Sequence, residues 1–276
     1  MEYKSSKKND QYFWRENFEE FKKEDVQKYD YGIKNYNFNL NLYDKLILNM
    51  LDSILSALPP CSKILDAGGG TGKWSIYFAQ RGFNVDLLDI SDSMLEFAAN
   101  EIERNNLIKK INVFKGSICN LPFSNNSFDF VFCERNPISH CGKKELSYQS
   151  VTEMYRVLKP NGFFWGCVLN RIRKVAQLVM ELDFKRAQEL LENGTLPRSL
   201  NKYTYYYFES EYMNLLKQTG FHDIRIYPTT SMAELIPSAW LLGNEPLNEL
   251  LIIEKKVRNI DEAKNYGVRF HATAQK

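Results

Sequence analysis

Residues 62–170 alternate repeatedly between short apolar runs and helical stretches, and no other feature narrows the fold as far. S-K-I-L-D-A leads into the loop G-G-G-T-G and then the helix K-W-S-I-Y-F-A-Q-R-G, stopped at Gly82. F-N-V-D-L-L-D-I leads into a helix capped by Ser91 and running to about Asn106. I-N-V-F-K-G and S-F-D-F-V-F-C-E supply a third and a fourth strand. K-E-L-S-Y-Q-S-V-T-E-M-Y-R-V-L-K is a further helix, and G-F-F-W-G-C-V-L-N is a fifth strand after the turn Pro160-Asn161-Gly162. Strands that are apolar throughout, separated by helices, predict βαβ units: a doubly wound α/β fold with a parallel sheet covered on both faces.

The flanks follow different patterns. Residues 12–58 carry apolar positions at helical spacing in F-W-R-E-N-F-E-E-F and Y-D-K-L-I-L-N-M-L-D-S-I-L, ended by Pro59-Pro60. After Asn170, R-I-R-K-V-A-Q-L-V-M-E-L-D-F-K-R-A-Q-E-L-L-E-N-G reads as helix and N-K-Y-T-Y-Y-Y-F-E-S as a tyrosine-rich stretch. E-Y-M-N-L-L-K-Q-T-G and F-H-D-I-R-I-Y resume the helix–strand rhythm, and E-L-L-I-I-E-K-K-V is expected to be the last strand. The expected organisation is an N-terminal helical lid (1–58), a core (59–170), a helical and aromatic cap insert (171–207), the remaining core (208–257) and a polar tail (258–276).

Composition removes several classes of function. A formal charge of +2 over 276 residues leaves no electrostatic footprint for a nucleic-acid backbone. Cys61, Cys119, Cys133, Cys141 and Cys167 form no C-x-x-C pair, and His140, His222 and His271 are scattered, so no metal site is expected. No apolar stretch approaches the roughly 18–20 residues of a membrane span. The polar start M-E-Y-K-S-S-K-K-N-D-Q lacks the apolar centre of a signal peptide. Reduced thiols in the cytoplasm are the expected setting.

Three ligands compete for D-A-G-G-G-T-G-K-W at residues 66–74. A Walker A loop needs G-x-x-x-x-G-K-[ST], but alignment on Gly72-Lys73 puts Ala67 at the first glycine and Trp74 at the hydroxyl. Lys73 then reads as a solvated helix-start residue. The dinucleotide pattern G-x-G-x-x-G fails as well, with Lys73 or Ser75 where the third glycine belongs. What remains is an acid closing the strand and glycines at alternate positions: Asp66, Gly68, Gly70 and Gly72. Gly69 needs no special role in that pattern. A carboxylate at the strand end repels a pyrophosphate and attracts an ammonium or a sulfonium.

This pattern resembles the first motif of the class I S-adenosylmethionine-dependent methyltransferases. The resemblance implies that the glycine backbone passes beneath the amino-acid portion of the methyl donor, which the Asp66 carboxylate helps place. Asp89, ending L-L-D-I-S, matches the family's acid for the ribose hydroxyls, and Ile90 and Met94 match its apolar contacts to adenine; a plain core role for Met94 fits the spacing equally well. G-S-I-C-N-L-P-F-S-N-N-S-F-D resembles a segment of the ubiquinone- and menaquinone-biosynthesis-type subgroup. There an Asp bonds the adenine amino group; here Ser117 stands in its place, so either its hydroxyl or the backbone around Ile118 makes that contact. Cys133, at the end of the fourth strand, joins the expected cofactor set, and Asp129 reads as structural. E-M-Y-R-V-L-K-P-N-G-F and Y-F-E-S-E-Y-M-N-L-L-K-Q-T-G-F also match, so the resemblance covers roughly residues 61–170 and 207–257. It implies a Rossmann-like sheet of seven strands, mostly parallel with an antiparallel last strand, under a helical lid. It also implies methyl transfer to an O or N atom of a small molecule, leaving S-adenosylhomocysteine. Peptide or RNA methylation is the alternative within the class, and NAD-dependent oxidation the alternative outside it.

Ligands of parallel sheets sit beyond the carboxyl ends of the strands, which places C-E-R-N-P-I-S-H-C at the site. His140 is a candidate general base; the alternative is that it caps or lines the pocket. Glu134 is a second catalytic candidate, or an anchor for the cofactor or a cationic acceptor. The acceptor pocket is expected from the variable flanks, with Trp14, Tyr29, Tyr31 and Tyr36 in one and Tyr203, Tyr205, Tyr206 and Tyr207 in the other, as an aromatic lid or as packing. Arg171 and Arg173 either attract an acidic substrate or begin a solvated helix.

Overall fold

A computed structural model of the protein describes residues 38–199, 202–232 and 245–276. Five parallel strands follow the predicted rhythm: β1 (Lys63–Ala67), β2 (Asn84–Asp89), β3 (Ile111–Lys115), β4 (Phe128–Cys133) and β5 (Leu158–Leu169). A short hairpin, β6 (Thr195–Ser199) and β7 (Lys202–Tyr205), stands apart from the main sheet. β8 (His222–Thr229) and β9 (Arg269–Gln275) complete the sheet in the order β3-β2-β1-β4-β5-β9-β8, with β9 antiparallel to both neighbours. The seven-stranded, doubly wound architecture is therefore as expected.

Successive side chains of a strand point to opposite faces, and that alternation divides the core in two. Ile64, Val85, Leu87, Phe130, Phe132 and Trp165 point one way, and Leu65, Leu88, Val131, Phe164 and Val168 the other. The first face is covered by α1 (Phe38–Ala57), α2 (Lys73–Gln80) and α3 (Asp92–Arg104). A one-turn helix, α4 (Pro137–His140), follows β4, and α5 (Lys144–Val157) then covers the second face. Ser91 starts α3 by accepting the Met94 N–H. The helix α5 ends where Lys159 precedes Pro160, a position that resists helical backbone.

The insert departs from a single helix. Leu182 adopts φ 59° and Asp183 caps a new start, so α6 (Arg171–Met180) and α7 (Phe184–Asn193) form two helices. Arg171 is 4% exposed. It donates to Glu211 at 2.8 Å and to the Tyr206 carbonyl, tying the insert to α8 (Glu209–Thr219). Neither expected role of Arg171 survives that pairing.

The C-terminal reading needs a larger correction. Residues 249–257, expected as the last strand, lie within the helix α9 (Glu245–Val257). Leu250 and Glu254 are buried four residues apart, and Leu250 packs on Leu42 and Leu46 of α1. The seventh strand comes from the supposed polar tail: Phe270, Ala272 and Ala274 join one core face, while His271 and Thr273 turn to the other. Small and polar residues hid this strand, because its flanking strands supply most of the apolar surface it is buried against. No helix among the described residues is long and apolar enough to cross a membrane.

Candidate active site

A pocket of about 190 Å³ opens at the carboxyl ends of β1 to β4. One flank is formed by Gly68 and Gly70 after β1, Asp89, Ile90, Ser91 and Met94 after β2, and Gly116, Ser117 and Ile118 after β3. The other is formed by Glu134, Arg135, Pro137 and His140 after β4, joined by Arg198 from β6. The expected residues Gly68, Gly70, Asp89, Ile90, Met94, Ser117, Ile118, Glu134 and His140 are thus brought together by the connections at one sheet edge.

The glycine loop is shaped by what lies against it. Gly68 has φ 79°, and a Cβ there would meet Pro137 at 2.6 Å. A Cβ at Gly69 would meet the Asp66 carboxyl at 2.8 Å and Leu87 at 2.9 Å, so this glycine does have a role. Asp89 Oδ2 accepts the Gly70 N–H at 2.8 Å, and Oδ1 accepts the Ser91 N–H at 2.9 Å. Burial raises the Asp89 pKa, opposed by these backbone bonds.

Three expected cofactor residues do not line the pocket. Asp66 is 2% exposed and lies beneath the loop, accepting the Ser75 hydroxyl at 2.7 Å. Burial, with the Asp89 charge added, pushes its pKa up to about 7. Gly72 starts α2 at φ 77° against Leu87 and Ala98, facing the helix layer. Cys133 is fully buried in the core, and burial drives its thiol pKa well up. A strand-end position signals proximity to the pocket, but the pleat sends only some of those side chains toward it.

Glu134 is bound to protein from every side. It accepts the Tyr43 hydroxyl, the Trp165 Nε1–H at 2.6 Å and the Arg135 N–H at 2.9 Å, and it pairs with His271 Nε2 at 3.2 Å. Burial alone would raise its pKa, but His271 and these bonds hold it well below the usual carboxylate range. Those bonds join α1 and β9 to the end of β4, while Glu134 also lines the pocket. Cys167 completes a buried trio with Glu134 and His271, their ligand-capable atoms within 4.8 Å of one another, yet its thiol already donates to Asn136 at 3.0 Å.

His140 closes α4, with Nδ1 3.4 Å from the Thr204 hydroxyl. Burial, followed by the Arg198 and Arg269 charges, pushes its pKa down to about 3, so the ring is neutral near pH 7. Lys73 pairs with Asp44 of α1, which lies 3.6 Å from Arg135, so it is no idle solvated residue. The tyrosines of the insert do not form an aromatic lid. Tyr205 and Tyr207 are buried in the core, Tyr206 packs inside the insert and Tyr203 is exposed. Trp14, Tyr29, Tyr31 and Tyr36 lie outside the described residues. Sequence reasoning missed Ser91, Gly116, Pro137 and Arg198. The first three sit inside quoted motifs, but Arg198 lies in an insert with no motif to mark it.

A methyltransferase-domain family model matches residues 64–162. The chain is 33% identical over 192 residues to a ubiquinone/menaquinone biosynthesis C-methyltransferase of Vibrio campbellii, covering 63% of this chain and 70% of that one. It is 31% identical over 164 residues to a ubiquinone biosynthesis O-methyltransferase of Rickettsia akari, and spans 59% of that relative's length and 59% of its own. Among solved structures it resembles phosphoethanolamine N-methyltransferase 2 of Haemonchus contortus in complex with S-adenosylmethionine. That match has a TM-score of 0.64 at 18% identity, covering 95% of this chain and 60% of that one, and it speaks to the fold. The chain belongs to the class I S-adenosylmethionine-dependent methyltransferases and, within them, resembles the ubiquinone-biosynthesis type. The dinucleotide reading falls with that membership.

Proposed function

We propose that this chain transfers a methyl group from S-adenosylmethionine to an O or N atom of a small-molecule acceptor in the cytoplasm. The observation that carries the reading is the pocket flank in which Gly68, Gly70, Asp89, Ile90, Met94, Ser117 and Ile118 converge from three consecutive strand ends. These groups suit the donor. Two glycines allow close backbone approach, an acid meets ribose hydroxyls, and Ile90, Met94 and Ile118 offer an apolar slot for an adenine ring. Ser117 Oγ already accepts the Cys119 N–H at 3.2 Å, which favours the backbone of this segment for the adenine edge. The buried Asp66 beneath the loop, its pKa raised to about 7, gains negative charge when a cationic ligand sits above it, and the two then attract. When bound, the donor supplies an electrophilic methyl on a sulfonium.

The chain's own contribution is orientation, exclusion of water and proton handling. Holding two reactants in line contributes up to about 7–11 kcal/mol. His140 is the group placed to take a proton from a hydroxyl or amine. Its Nδ1 lies 3.4 Å from the Thr204 hydroxyl, and the tautomer in which Nδ1 carries the proton is the one that would leave Nε2 to accept. None of the five cysteines is in a disulfide, in keeping with a reducing compartment.

Calorimetry with S-adenosylhomocysteine tests the donor site: micromolar binding is expected, and no heat and no thermal shift with either donor or product would refute the reading. A tritiated methyl-transfer screen over pooled metabolites, with the labelled product identified, then tests the acceptor atom. Labelled carbon would overturn the O or N assignment.

A further inference from the structure

We infer that the chain binds a small organic anion, a phosphate monoester or a carboxylate, in a second groove at the β8 edge of the sheet, with Arg258 and Arg225 as its charge partners. The groove has a volume of about 440 Å³. It shares no lining residue with the donor pocket, so its ligand is independent of the donor assignment.

The groove lies where α1 and the end of α9 cross the edge strands. Residues directly opposite one another in paired strands share a face of the sheet. Arg225 stands opposite Thr273, and Tyr227 opposite His271, so all four belong to the face that α1 covers. A covered sheet face is ordinarily apolar. Here Arg225, Thr273 and Gln275 put polar groups on it, and they line the groove beside Phe163 and Tyr227.

Arg258, just beyond α9, is the residue that calls for a ligand. Its Nη2 donates to Asn49 Oδ1 at 3.3 Å, while its Nε and Nη1 are buried and meet no acceptor. Its other neighbour is the Tyr227 ring, 5.7 Å away at the centroid. No carboxylate among the described residues pairs with Arg258, or with Arg225 at the exposed rim. Asp223, the acid in the lining, faces His222 Nδ1 at 3.0 Å instead. Burial lowers the Arg258 pKa, as it does for a cation without a counter-charge. A buried N–H without an acceptor costs the full desolvation of that group, and native structures seldom leave one without a protein, water or ion partner.

An anion in the groove supplies the missing acceptors. A guanidinium presents parallel N–H groups that match the oxygens of a carboxylate or phosphate, and such bonds are about twice as strong as neutral ones. Thr273 and Gln275 add neutral donors. Phe163 and Tyr227 give a planar body a surface to lie on, which favours an organic anion over a bare inorganic one.

The test is a titration of the full chain with phenyl phosphate and with benzoate, separately and at constant ionic strength. Thermal shift and ligand-observed NMR are the readouts, with and without S-adenosylhomocysteine. Saturable binding of at least one anion is expected, unaffected by S-adenosylhomocysteine and weakened roughly tenfold in Arg258→Met and in Arg225→Met. Binding of phenyl phosphate alone would assign a phosphate monoester, and of benzoate alone a carboxylate. Arg225 is exposed, so its variant decides the matter if Arg258→Met does not fold. Absence of saturation by either anion, parental affinity in these variants, or displacement of the anion by S-adenosylhomocysteine overturns the inference.

Discussion

The two halves of the pocket differ in how their parts are spaced along the chain. On the donor side, Gly68, Asp89 and Ser117 each follow the end of a strand, and the sheet register sets them side by side: Asp66 faces Leu87, and Asp89 faces Lys115. Backbone does much of the work there, and Asp89 spends both oxygens on holding Gly70 and Ser91. On the opposite flank, Glu134, Arg135, Pro137 and His140 follow β4, Arg198 arrives from the insert, and Glu134 is held by Tyr43 of α1 and His271 of β9. A site made of local loops tolerates change one loop at a time, whereas a site made of long-range side-chain bonds depends on every member.

Breaking the long-range side first should give the largest effect. Glu134→Ala leaves the donors of Tyr43, Trp165 and Arg135 buried without their acceptor. A loss of about 3–5 kcal/mol is expected, roughly 10 °C in Tm, read by urea and thermal unfolding. A small effect would mean that water reaches this cluster.

Next comes a pH effect under the donor loop. Asp66 has a raised folded pKa of about 7 against an ordinary 3.8. Its contribution to stability is fully present below the unfolded value and is lost as the pH rises through about 7, because the buried carboxyl must then ionise. Up to about 4 kcal/mol is at stake between the two values. Asp66→Asn, which keeps an acceptor for Ser75, should flatten the decline between pH 5 and 8 in denaturant titrations of the free protein.

His140→Ala sharpens the comparison from the reaction side. Methyl transfer to a hydroxyl or amine acceptor should fall about 10²-fold. That is the lower end of the general-base range, because a ring with pKa near 3 is a weak base. S-adenosylhomocysteine affinity should move far less, and an equal loss in both would place His140 in the donor site. The smallest effect is expected from Asp89→Asn. It keeps one acceptor oxygen and loses the charge, so affinity for S-adenosylhomocysteine should fall about tenfold, or 1.4 kcal/mol, by calorimetry.

Legibility followed the same division. The donor side could be read because each of its residues sits within a few positions of a strand end, where periodicity locates it. Within that side, Asp66 and Cys133 lie beneath the pocket wall, because a one-residue step along a pleated strand reverses the side-chain direction, and Gly72 faces the helix layer. Gly69 was passed over because its neighbour is a carboxylate folded back beneath the loop. On the acceptor side, Glu134 and His140 were found by position alone, and their partners could not be. His271 lies 137 residues from Glu134, in a stretch that reads as a polar tail.

The sequence by itself determined the doubly wound parallel sheet, the five leading strands and the class of ligand for the glycine loop. Those follow from local periodicity and from the sign of a charge at a strand end. Only the tertiary structure decided that residues 269–275 make the seventh strand while 245–257 make a helix. It alone turned Glu134 inward and brought Arg198 to the pocket. Burial and partnership are properties of residues far apart in the chain, and no local pattern encodes which distant surface will cover a given side chain.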